Sequence, residues 1–102
     1  MSDPSKRDRV EIERAREQID RIDNDLVRLL NERAQEVRKI GDAKRRLEIP
    51  VYQPDREKEV FKRIVEANRG PLDDGAIRRL FERIIDEARR LERLVTKEDE
   101  NE

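Results

Sequence analysis

Arg33 and Lys44 are cations that interrupt a line of apolar residues. They lie about three helical turns apart, so on a helix they point almost the same way. Arg16, four residues after Ile12 and three before Ile19, falls near the same seam. Two further stretches repeat the irregularity. Glu57, flanked by Arg56, stands one turn before Val60 and Phe61, and Glu92 follows Ile77, Phe81, Ile84 and Ala88 on one helical face. Burying such groups without partners costs several kcal/mol each. One arrangement is internal pairing, Arg33 with Glu57 and Lys44 with Glu92. Three cations against two carboxylates leave positive charge over, however, and the excess points to a small anionic ligand that brings negative charge of its own.

Three helices are expected to position these groups. The first spans about residues 9 to 48, with Ile12, Ile19, Ile22, Leu26, Leu29, Val37, Ile40 and Leu47 at three- and four-residue spacing. Gly41 falls inside it, and an isolated glycine costs roughly 1 kcal/mol against alanine without ending a helix. The segment EIPVYQP (48 to 54) forces an extended connection, because residues before proline are pushed from helical angles. A second helix follows at about 55 to 68, stopped by Asn68, Gly70 and Pro71. The third covers about 73 to 96, with Asp73 or Asp74 as its cap. The polar ends, 1 to 8 and 97 to 102, are expected to be flexible tails around one helical domain at 9 to 96.

A first helix of about 40 residues would be a rod near 60 Å long, too long to bury its stripe against two shorter helices of one chain. The expected remedy is an intertwined, all-α homodimer with the long helices side by side. A monomer bent sharply at Gly41 is the alternative.

Composition narrows the chemistry. Half of the 102 residues are charged, yet 25 cations nearly cancel 26 anions. The net charge of −1 gives no global attraction to nucleic acid or to a membrane surface. Apolar runs are too short to span a bilayer, and the chain reads as cytoplasmic. With no Cys and no His there is no disulfide framework, no thiol nucleophile, no imidazole base and no zinc site of the usual kind.

The segments REQIDRIDNDLVRLLNER (16 to 33), IGDAKRR (40 to 46), PVYQPDRE (50 to 57) and LFERIIDEARRLE (80 to 92) together resemble the all-helical class of chorismate mutases. The resemblance covers nearly everything except the ends. It implies an isomerase of aromatic amino acid biosynthesis that converts chorismate to prephenate without cofactor or metal. It also implies that Arg33 clamps one substrate carboxylate, while Arg16 reaches across the dimer to another. By the same resemblance Lys44 bonds the ether oxygen and a carboxylate, Glu57 accepts a hydrogen bond from the ring hydroxyl, and Arg56 lines the same wall.

Glu92 occupies the place where many members have a glutamine that donates to the ether oxygen, so the glutamate must carry a proton to do likewise. Gln53 stands where some members have aspartate near the substrate hydroxyl, which leaves that contact to the backbone. Ala88 replaces a serine that touches a carboxylate in some members, and that bond is absent. A partner enzyme of the same biosynthesis is a further implication. Two other functions fit the residues: an isochorismate pyruvate lyase of the same fold, and a non-enzymatic helical dimerisation module whose internal charges set register.

Overall fold

The computed structural model describes residues 3–100, with side chains as far as Thr96. Three helices follow in order: α1, Pro4–Leu47; α2, Pro54–Ala67; α3, Asp74–Glu100. No strand occurs among the described residues. The expected flexible tail at 97 to 102 falls on residues whose side chains, and at 101 and 102 the backbone too, lie outside the described residues.

The chain divides into two compact units, one ending at Arg33 and one beginning at Ala34. In the first unit, α1 starts five residues before the place given by apolar periodicity. Asp3 accounts for the early start: its carboxylate accepts the Ser5 N–H at 3.1 Å and the Ser5 hydroxyl at 2.6 Å. Its carbonyl accepts the Lys6 and Arg7 N–H groups at 3.0 and 3.2 Å, ahead of Pro4 in the first turn. The Ser5 hydroxyl, then the Ser5 N–H, hold the Asp3 carboxyl below its ordinary range. Capping of this kind leaves no apolar signature, so the sequence pattern missed it. Along this unit Ile12, Ile19, Ile22, Leu26 and Leu29 are each about half exposed, between 49% and 55%. No described residue before Arg33 is even half-buried.

In the second unit the end of α1, α2 and α3 share a core of Val37, Ile85 and Val95. Val60, Phe61, Ile64, Ile77, Phe81 and Ile84 are half-buried around it, and α2 packs on α3. Ile85 joins the core although the sequence reading ran the stripe through its neighbour Ile84. Gly41 continues the helix and is buried, whereas Ile40 and Leu47 are exposed. Within the chain the line of α1 that faces α3 is therefore Val37, Gly41, Lys44, with Ile40 and Leu47 of the expected stripe left outside it. The glycine is the reason: a Cβ at Gly41 would lie 3.6 Å from the Glu92 Cα, so the small residue marks close approach of α1 to α3.

The two connections are built by hydrogen bonds. At the end of α1 the Ile49 N–H donates to the Lys44 carbonyl at 2.8 Å and the Glu48 N–H to the Arg45 carbonyl at 3.2 Å. This is a Schellman cap, and its left-handed position is Glu48, at φ 57°. Between α2 and α3 the Asn68 amide donates to the Leu72 carbonyl and to Asp74 Oδ1, both at 2.9 Å. Asp73 caps α3 by accepting the Ala76 N–H at 2.7 Å.

A side chain at a left-handed position costs about 1–2 kcal/mol, part of which glycine returns through a freer unfolded chain. Glu48→Gly is thus expected to stabilise the fold by about 0.5–1 kcal/mol, read as a melting midpoint a few degrees higher. An unchanged or lower midpoint would contradict this cap.

Candidate functional site

The second unit brings two of the anticipated charges into direct contact. Lys44, in the last turn of α1, donates from Nζ to Glu92 Oε2 at 3.1 Å and, less closely, to Oε1 at 3.4 Å. The Val51 carbonyl accepts a further bond from Nζ at 3.0 Å. The two side chains are only 13% and 10% exposed, which separates this pair from the surface pairs of the chain. Three local features produce it. Gly41 lets α3 come close one turn before Lys44; Pro50 and Pro54 bound an extended connection that turns the Val51 carbonyl toward the ammonium; and the face of α3 carrying Ala88, Glu92 and Val95 turns inward. Lys44 with Glu92 is one of the internal pairings that the sequence offered beside a bound anion.

Glu57 also sits in the interior, in the first turn of α2, but takes its cation from α3. Arg89 Nη2 donates to Glu57 Oε1 at 3.2 Å, and Arg89 Nε stands 3.0 Å from Oε2. The latter N–H is out of line for a hydrogen bond, leaving Nε buried and unsatisfied. Arg89 is not among the residues singled out by the sequence pattern. The available signal was that Arg89 precedes Glu92 by three residues and so lies next to it on α3.

The remaining anticipated residues are placed as follows. Gln53 is exposed and precedes α2; its side chain makes no cap, while its carbonyl accepts the Glu57 N–H at 3.2 Å. Arg56 is exposed and pairs with Glu59 at 3.0 Å. Ala88 is half-buried, one turn before Glu92. Arg33 is half-buried at the end of the first unit. Arg16 is exposed in that unit and donates to Glu13 at 3.0 Å. Such an exposed pair is worth little and is easily given up to another anion.

The described residues thus form an all-helical domain with a buried lysine–glutamate pair and a second carboxylate, Glu57, held between α2 and α3. The match to known proteins is specific. The family model for type II chorismate mutases matches residues 15–93, and the chain belongs to that family. It is 44% identical over 81 residues to the bifunctional chorismate mutase/prephenate dehydratase of Neisseria gonorrhoeae, a match that covers 79% of this chain and 22% of that protein. The chorismate mutase of Methanocaldococcus jannaschii is 29% identical over 87 residues, covering 84% of this chain and 88% of the relative. A solved chorismate mutase from Thermus thermophilus superposes with a TM-score of 0.80 at 36% identity, covering 81% of this chain and 94% of that one. The chain spans between a fifth and a quarter of the length of its bifunctional relatives.

Proposed function

We propose that this chain converts chorismate to prephenate, an intramolecular rearrangement in which a carbon–oxygen bond breaks as a carbon–carbon bond forms. The single observation that carries the reading is the buried Lys44–Glu92 pair, in a chain of this family, with Glu57 on the adjoining helix. The reaction requires no nucleophile, metal or cofactor. The protein must hold a flexible dianion in its folded, reactive shape and stabilise negative charge growing on the ether oxygen.

In this reading Arg33 and Arg16 hold the two carboxylates, since a planar guanidinium fixes orientation as well as charge. Lys44 turns from Glu92 toward the ether oxygen and a carboxylate. Glu57 accepts a hydrogen bond from the ring hydroxyl, Arg56 lines the wall, and Gln53 contributes through its backbone. Ala88, without a hydroxyl, supplies shape only.

The active species is a homodimer in which Arg16 crosses to the partner's site. Its support is the row of half-exposed Ile12, Ile19, Ile22, Leu26 and Leu29, a larger apolar face than a free helix keeps in water. No described helix is long and apolar enough to cross a membrane, and we place the protein in the cytoplasm. The bifunctional relatives support a link to a prephenate-consuming partner enzyme.

The test is loss of the chorismate absorbance on adding purified protein, with prephenate identified as product. Salicylate and pyruvate formed from isochorismate, with chorismate untouched, would establish the lyase instead. No turnover of either, and no thermal stabilisation by a dianionic mimic of the transition state, would leave a dimerisation module.

Glu92 supplies a further prediction. As found it accepts from Lys44, and only a protonated carboxyl could donate to the ether oxygen. Glu92→Gln, a permanent donor of the same shape, is therefore expected to keep turnover, whereas Glu92→Ala is expected to lose about 100-fold or more. Steady-state kinetics on the two variants check this; equal loss in both would remove the donor role.

A further inference from the structure

The geometry assigns Arg89 as a positioning residue: it sets the direction of the Glu57 carboxylate. The inference rests on the reading of Glu57 proposed above and adds a residue which that reading does not use.

Arg89 has more than a surface contact with Glu57. Its guanidinium approaches both carboxylate oxygens, at 3.0 and 3.2 Å, while the side chains are only 31% and 20% exposed. Two other groups hold the guanidinium in turn. Asp86, one turn earlier on α3, accepts from Nη2 at 3.1 Å. The Tyr52 ring lies beneath it, 5.4 Å from the guanidinium carbon to the ring centre. Tyr52 follows directly on Val51, whose carbonyl accepts from Lys44. Neighbouring residues of one short connection thus brace both interior cations, and Arg89 and Glu92 are one turn apart on α3.

This arrangement suits a carboxylate that must receive a hydroxyl hydrogen bond. A guanidinium fork fixes a carboxylate's plane, which a lysine ammonium does not. With its plane fixed in this way, the carboxylate keeps its remaining lone pairs in one direction for a donor. Arg89 Nε, buried and 3.0 Å from Oε2 but unaligned, leaves the fork able to close fully once the carboxylate turns by a small angle.

The test is a double-mutant cycle on the full chain, with thermal melting to confirm that each protein is folded at the assay temperature. Arg89→Met keeps the apolar stem and removes fork and charge. It is expected to lower kcat about 10- to 100-fold, the scale of a misplaced contact group, with KM within about threefold. Arg89→Lys, which restores charge without the fork, should recover part of the loss. In a Glu57→Ala background, adding Arg89→Met should change kcat by less than about twofold, because a residue acting through Glu57 has nothing left to position.

Losses that multiply across the two backgrounds, or an Arg89→Met protein as active as wild type, would overturn the assignment while leaving the function intact. A wild-type protein without mutase turnover would overturn both, and that is read before any variant is made.

Discussion

Lys44→Ala is expected to lose about 100- to 1000-fold in turnover, the usual cost of removing one preorganised donor from a site where charge develops. Arg33→Ala should lose at least as much if it holds a substrate carboxylate as proposed. The structure adds a complication for Lys44 that its family position alone does not contain. Removing the ammonium leaves Glu92, 10% exposed, without the cation that faces it, and an orphaned buried charge costs up to about 3–5 kcal/mol. Against a typical total of about 5–15 kcal/mol, that loss could be mistaken for a catalytic one.

The double variant Lys44→Ala/Glu92→Gln separates the two effects. Its neutral amide no longer demands a counter-charge, so the melting midpoint should recover most of its value while turnover stays low. Steady-state kinetics beside a melting curve on the three proteins provide the readout. Turnover returning with stability would show that Lys44 matters only as the partner of Glu92.

Mixing two inactive chains is expected to restore activity. If Arg16 serves the partner's site, dimers of Arg16→Ala with Lys44→Ala contain one site with both residues intact and one with neither. Random reassociation makes half the dimers mixed, so a co-refolded 1:1 mixture should reach about one quarter of wild-type turnover. Each variant alone stays near its own floor. An Arg16 that served its own chain would predict no recovery, since every site would then lack one residue.

Arg16 is exposed and donates to Glu13 on the surface of α1, a pair that an anion can displace from either chain. A single-chain measurement could not settle the point, and the mixture can.

The helices were legible because apolar spacing of three and four residues has no other economical meaning, and because Pro50, Pro54, Gly70 and Pro71 interrupt it where the helices end. Lys44 with Glu92 was one of two arrangements open in the sequence, the other being a bound anion, since each is the charged exception in an otherwise apolar line. The start of α1 was not legible, because Asp3 and Pro4 begin a helix by hydrogen bonding and backbone shape rather than by burial.

Arg89 was hidden for a different reason. It is one of 25 cations, in a chain where nearly every helical turn carries one, and its place one turn before Glu92 is a weak mark against Arg90 beside it. Arg90 is exposed and pairs with Glu87 at 3.6 Å, whereas Arg89 turns inward to Glu57, 32 residues away.

The amino-acid sequence by itself determined the number of helices, most of their ends, and that Lys44, Glu57 and Glu92 lie on inward faces. These follow from period and chain stiffness, which are local. Only the tertiary structure decided that Gly41 rather than Ile40 faces α3, that Glu57 belongs to Arg89, and that the Val51 carbonyl shares Lys44 with Glu92. Each of these depends on how closely and at what angle two helices meet, and periodicity along one helix contains no information about that angle.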